Sequence, residues 1–121
     1  MLIVDDADDF RDLLKLCLAR MAGIDVVAEA SDGQEGVLQA AAHRPDLVLL
    51  DLSMPVMDGL QAAPLIREES PEVKIVFVSG FEASEMEAKA RVAGADAYVE
   101  KSAVLSDLES TIAKVFGSGG S

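Results

Sequence analysis

With 121 residues the chain is long enough for one domain around a single core and too short for two, and with half its residues hydrophobic it is not a disordered acidic tail. Asp and Glu number 22 against 10 Lys and Arg; the net charge of −12 repels nucleic-acid phosphates and lacks the basic face an anionic membrane attracts. Apolar runs such as Leu47 to Leu50 are too short to span a bilayer, and a lone cysteine, Cys17, excludes an internal disulfide, a thiolate zinc cluster and an iron–sulfur cluster.

The chain opens Met1-Leu2-Ile3-Val4-Asp5-Asp6, with no basic segment and no long apolar run, so no secretory signal is expected and the cytoplasm is the expected location. Leu2 to Asp5 reads as a first strand. The helix after it is capped by Asp8 or Asp9, buries Phe10, Leu13, Leu14, Cys17, Leu18 and Met21 at helical spacing, and ends at Gly23. Cys17 on that stripe is a small hydrophobe rather than a nucleophile. Asp25 to Ala30, interrupted by Glu29, suits an edge strand. Ser31 with Gln34 forms a capping box for a second helix whose inner face is Val37, Leu38, Ala41 and Ala42. His43 falls near that helix end as a solvated or helix-terminal residue.

Leu47 to Leu50 and Val73 to Val78 carry consecutive apolar residues, as strands buried on both faces do. Between them, Asp58 to Glu69 is helical, but Pro64 predicts a late start or a kink. Ser84 to Ala93 has only Met86, Ala90 and Ala93 as an apolar stripe, so this fourth helix is expected to be weakly anchored. Asp96 to Val99 is the short fifth strand. The last helix aligns Val104, Leu105, Leu108, Ile112, Val115 and Phe116, with Ser102 or Ser106 at its start. The division expected is a domain over 1–116 and a flexible Gly/Ser tail over 117–121, either a natural linker or a cloning remnant. Strands alternating with helices predict an α/β fold, a parallel sheet covered on both sides.

Chemistry collects where the apolar strands end. The first ends at Asp5-Asp6, the third at Asp51, the fourth at Ser79 and the fifth just before Lys101. In an open parallel sheet these ends share one edge, where ligands bind. Each residue alone is commonly a cap or a turn former; the joint occurrence at four strand ends carries the signal. Clustered carboxylates stay ionised only with a cation, and an oxygen-only donor set suits Mg2+ (or Mn2+) better than zinc. A fixed ammonium and a hydroxyl beside such an ion fit a phosphoryl group better than a carbonyl.

At this point the residues resemble a known family. The runs Leu2-Ile3-Val4-Asp5-Asp6, Leu47 through Gly59 (LVLLDLSMPVMDG), Val76-Phe77-Val78-Ser79-Gly80 and Gly94 through Lys101 (GADAYVEK) are similar to those of bacterial response-regulator receiver domains of two-component systems, over essentially the whole chain. The resemblance implies a flavodoxin-like (βα)5 three-layer sandwich with sheet order 2-1-3-4-5. It implies Asp51 as phosphoacceptor from a histidine kinase or phosphotransfer protein. It implies Asp5, Asp6, Asp51 and the Ser53 carbonyl as Mg2+ ligands, and Lys101 as partner of the acyl phosphate. Ser79 would follow the phosphoryl oxygen and Tyr98 would turn inward behind it, remodelling the face of the fourth helix, fifth strand and fifth helix. That face is a surface for self-dimerisation or for a C-terminal effector domain not present here; direct nucleic-acid or membrane binding is not expected. Ser53, Gly80 and Phe81 would flank access to the phosphorylation site, the apolar Phe81 disfavouring the attacking water.

Three departures accompany the resemblance. Ser102 follows Lys101 where the family usually has proline, which predicts a trans bond there and a displaced loop. Pro64 is unusual in the third helix, and the first strand starts almost at Met1. Two other functions fit the residues less well. A Mg2+-dependent phosphohydrolase with an aspartate nucleophile wants a second aspartate two residues on, where Ser53 stands. A flavin carrier wants a phosphate-cradling loop after the first strand, where Asp5-Asp6-Ala7-Asp8-Asp9 stands instead.

Overall fold

The structure, a computed structural model, describes residues 1–117; the expected tail lies, apart from Gly117, outside the described residues. Strands β1 (Leu2–Val4), β2 (Ala28–Ala30), β3 (Leu47–Leu50), β4 (Lys74–Ser79) and β5 (Ala97–Glu100) alternate with helices α1 (Asp8–Leu18), α2 (Gly33–His43), α3 (Gly59–Glu69), α4 (Ala83–Val92) and α5 (Val104–Gly117). All pairings are parallel, and the order is β2-β1-β3-β4-β5, the flavodoxin-like arrangement expected. The connection reverses direction between β1 and β3, which opens a crevice at their carboxyl ends.

Strand alternation sorts the core into two layers. Leu2, Val4, Val48, Leu50, Ile75 and Phe77 face α2, α3 and α4 through Ala40, Ala62, Ala63, Ile66 and Ala90. Ile3, Leu47, Leu49, Val76, Val78 and Val99 face α1 and α5 through Leu14, Leu18, Leu108 and Ile112. Central β3 is buried at every residue, which explains its unbroken apolar run. Truncating a fully buried leucine such as Leu108 removes about 2–5 kcal/mol.

Several local expectations are corrected. The N-cap of α1 is Ala7, not Asp8 or Asp9, and its free amide is satisfied by the Asp5 side chain at 2.8 Å. The helix stops at Leu18, and Gly23 lies in the turn beyond at φ 82. Asp32 rather than Ser31 caps α2, accepting the Glu35 amide at 2.7 Å. The buried face of α2 is Gly33, Gly36 and Ala40 with Val37, while Leu38, Ala41 and Ala42 are exposed. The cause is close packing: a Cβ on Gly36 would sit 2.9 Å from Val4 Cγ1, so the glycine side of the helix must face the sheet. On α5, Leu105 is 80% exposed and Phe116 is 45% exposed, so neither belongs to the buried stripe.

Neither Ser102 nor Ser106 caps α5. Ser102 lies in a 3-10 turn, Lys101–Ala103, and the Ser106 hydroxyl donates to the Ala103 carbonyl at 3.1 Å. That helix includes Gly117, one residue past the expected boundary. The Lys101–Ser102 bond is trans, as expected, and the described residues contain no cis peptide. Helix α3 does not start late: it begins at Gly59 behind a full Asp58–Gln61 capping box and continues through Pro64 to Glu69. Pro64 sits on its exposed side, so the missing amide falls where water replaces it. As expected, α4 is lightly held, with Ala90 its only fully buried residue and Val92 90% exposed. Among the described residues no helix is long and apolar enough to cross a membrane.

Candidate functional site

The carboxyl edge of the sheet gathers the residues predicted from the strand ends. Asp5 follows β1 and Asp51 follows β3; each carries on its strand's pairing, Asp5 donating its amide to Ala30 at 3.0 Å and Asp51 to Val4 at 2.9 Å. Both carboxylates are buried, at 1% and 5% residue exposure, whereas Asp6 is exposed. One carboxylate oxygen from each of Asp5, Asp6 and Asp51 lies within 4.8 Å of the others. Gly59 makes room for this arrangement, because a Cβ there would meet the Asp51 carbonyl oxygen at 2.2 Å. Its amide donates to the Leu52 carbonyl at 2.8 Å, so the loop after Asp51 is folded back tightly.

Lys101, at the end of β5, bridges the cluster. Its Nζ lies 3.0 Å from Asp5 Oδ2 and 3.3 Å from Asp51 Oδ2, and 4.5 Å above the centre of the Phe10 ring. The ring faces the ammonium with its electron-rich side and adds a third contact. Sequence reasoning assigned Phe10 only to the hydrophobic stripe; its second role depends on where β5 ends relative to α1.

The electrostatics follow from burial. Asp51 is pushed up from its ordinary 3.8 to about 6, chiefly by loss of water and then by the Asp5 charge, with Lys101 offsetting part of the rise. Burial alone would lower Lys101, but its pairing with Asp5 and Asp51 outweighs that and holds the ammonium above its ordinary value. One ammonium therefore does not neutralise the carboxylates fully. The oxygen-only donor set and the incomplete balance fit a divalent cation such as Mg2+.

Ser79, the last residue of β4, is fully buried and its Oγ accepts the Phe81 amide at 3.1 Å. Tyr98 on β5 is half-buried and its hydroxyl donates to the Phe81 carbonyl at 2.8 Å. Burial, then the charges of Glu100 and Asp51, hold the Tyr98 phenol above its usual range. The two predicted switch residues thus grip the same residue of the β4–α4 loop. Glu100 adds a tie the sequence did not signal, accepting the Ala83 amide at the start of α4 at 3.0 Å. Phe81 is 45% exposed, Ser53 is exposed, and a Cβ on Gly80 would meet no atom within 4 Å. Packing therefore does not dictate glycine at position 80. His43 is exposed at the end of α2, away from this edge.

Comparison with known proteins agrees with this geometry. Residues 1–113 match the family model of the response regulator receiver domain. The response regulator protein VraR of Staphylococcus epidermidis is 31% identical over 116 residues, covering 96% of this chain and 56% of that protein. The chain thus spans little more than half the length of this relative. A LuxR-family two-component response regulator from Aurantimonas sp. superposes with a TM-score of 0.90 at 31% identity, over 97% of this chain and 84% of that one. A DNA-binding response regulator of the LuxR family from Staphylococcus aureus gives a TM-score of 0.78 at 29% identity, over 94% and 96%. Nothing favours the phosphohydrolase alternative.

Proposed function

Because the chain belongs to the response-regulator receiver family, we propose that Asp51 is the residue that carries its signal, taking a phosphoryl group from a phosphohistidine on a kinase or phosphotransfer protein. The observation that carries this reading is the convergence of Asp5, Asp6 and Asp51 on one point, with Lys101 bridging Asp5 and Asp51. A carboxylate oxygen of Asp51 attacks phosphorus. The P–N bond of the donor breaks, and its electron pair leaves on the imidazole, which takes up a proton. The product is an acyl phosphate, an anhydride whose hydrolysis resets the domain. The activity is confined to phosphorylation and dephosphorylation of the domain itself.

Asp5, Asp6, Asp51 and the Ser53 carbonyl are the residues that would hold Mg2+. When bound, the ion supplies positive charge against the phosphoryl oxygens. Lys101, already within reach of Asp51, pairs with the acyl phosphate. Ser79 follows the new oxygen, which releases the Phe81 amide it now holds, and the Phe81 carbonyl in turn loses its fixed relation to Tyr98. The loop before the lightly anchored α4 is thereby freed, so the α4-β5-α5 face is the element that changes. That face serves a second copy of the chain or an attached effector. Similarity to a DNA-binding response regulator supports a DNA-binding effector, which would bring its own positive charge to offset the −12 of this chain. The kinase-coupled role and the absence of any membrane-crossing helix among the described residues support a cytoplasmic location.

Access to Asp51 runs past Ser53, Gly80 and Phe81. The open space at Gly80 supports a role in admitting the donor rather than in packing. The test of the proposal is intact mass after incubation with acetyl phosphate and Mg2+. A gain of one phosphate, lost in Asp51→Asn, is expected; an unchanged mass in the native chain with every phosphodonor tried overturns it.

A further inference from the structure

Asp5 is tied at every polar atom. Its amide donates to the Ala30 carbonyl at 3.0 Å, its Oδ1 accepts the Ala7 amide at 2.8 Å, its Oδ2 pairs with Lys101 at 3.0 Å, and its own carbonyl accepts from the Arg11 guanidinium. Arg11 also closes the turn that follows, since its backbone amide donates to the Ala7 carbonyl at 3.1 Å. The rest of the guanidinium is committed as well. Nε donates to Glu29 Oε1 at 3.0 Å, and the remaining nitrogen pairs with Asp8. Glu29, on edge strand β2, is itself held from the other side by Lys15 at 2.9 Å. The Arg11 side chain is only 14% exposed, so this is a packed fork and not a loose surface pair.

We propose that Arg11, anchored by Glu29, is a positioning residue for the divalent-ion site: it clamps the Asp5 carbonyl and so fixes the turn that presents Asp5 and Asp6. The inference rests on the reading that this cluster binds Mg2+. A guanidinium suits the task because its planar donors reach a backbone carbonyl and two carboxylates at once, which a lysine ammonium on a flexible stem does not reproduce. Of the three carboxylates, Asp6 is the exposed one, and no side-chain bond holds it among the described residues; its placement depends on the turn. The signal in the sequence was only an arginine five residues after a paired aspartate, and it gains meaning once Glu29 is brought beside α1 by the β1–β2 pairing.

The test is Mg2+ alone titrated into the full chain, followed by calorimetry or amide NMR, at a temperature where circular dichroism shows every variant folded. Arg11→Lys keeps the charge and loses the fork; a three-fold or greater loss of Mg2+ affinity is expected. Arg11→Met removes a cation near the site, which by electrostatics alone would tighten Mg2+ binding, so weaker binding there too is expected. Glu29→Gln, at a more exposed position, is expected to weaken binding in the same direction and decides the matter should the Arg11 variants not fold. Arg67→Met is the control: Arg67 makes an equally dense set of bonds to Asp96 and the Gly94 carbonyl away from the cluster, so it lowers stability and leaves Mg2+ affinity unchanged. Native affinity in Arg11→Lys and Glu29→Gln, or tighter binding in Arg11→Met, overturns the inference. Failure of the native chain to bind Mg2+ overturns the functional reading beneath it.

Discussion

The buried Asp51 carboxylate makes a quantitative prediction about stability. Its rise from 3.8 to about 6 means that folding disfavours its ionised form. At about 1.4 kcal/mol for each pH unit, the penalty for keeping it ionised in the folded state is about 3 kcal/mol. The sign follows from linkage: below the unfolded value both states are protonated and nothing is lost. Between 3.8 and about 6 the unfolded chain ionises first and stability falls, and above about 6 the full penalty applies. Asn is neutral and nearly the same shape, so in EDTA Asp51→Asn is expected to stabilise the chain by up to about 3 kcal/mol at pH 7.5, a large fraction of an ordinary domain's total. Lys101 keeps Asp5 as a partner at 3.0 Å in that variant, so no ammonium is stranded.

The assay is urea denaturation of both proteins, followed by far-ultraviolet circular dichroism from pH 4 to 8. The gap between them is expected to close toward pH 4. Mg2+ is expected to raise the native chain by about 2.7 kcal/mol at a hundred times its dissociation constant and the variant by much less. A variant less stable than the native chain at pH 7.5, or a gap that does not shrink on acidification, refutes the reasoning.

Two further outcomes are expected. Val56 holds φ 68, a left-handed conformation that crowds a β-branched side chain, and it is 76% exposed, so little burial offsets the strain; Val56→Gly is expected to stabilise by about 1 kcal/mol, read from the urea midpoint at unchanged slope. Phe81→Glu replaces the half-exposed ring beside Ser79 with a group that can hold water, and the phosphoaspartate lifetime is expected to shorten about three-fold, a barrier change of about 0.7 kcal/mol; an unchanged lifetime by phosphate release counts against a role for Phe81 in water access.

What was readable from the chain alone follows from the range of the forces involved. The runs Leu47 to Leu50 and Ile75 to Val78 announced central strands because a strand buried on both faces needs apolar residues at successive positions, a local requirement. Those runs placed Asp51 and Ser79 at strand ends, and the shorter first and fifth runs placed Asp5 and Lys101, so the gathering of these residues at one sheet edge was legible without coordinates. Helix faces were less so. Leu105 on α5 fits an apolar stripe by spacing and yet is exposed; so is Leu38, because the side of α2 that meets the sheet was chosen by the lack of a side chain on Gly36, whose Cβ would meet Val4.

Caps were likewise decided by neighbours: Ala7 needs no polar side chain of its own when Asp5 serves its amide, and the amide of Ala83 is served by Glu100 from β5. Pattern along the chain determined which residues are apolar enough to form the layers and which polar ones end them. Tertiary packing alone decided that Phe10 lies under Lys101, that Arg11 reaches both Glu29 and Asp5, and that Asp51 sits in a setting dry enough to resist ionisation. Apart from the Arg11–Asp5 bond across one turn, those are contacts between groups well separated in sequence, and their strength comes from water excluded by the whole fold.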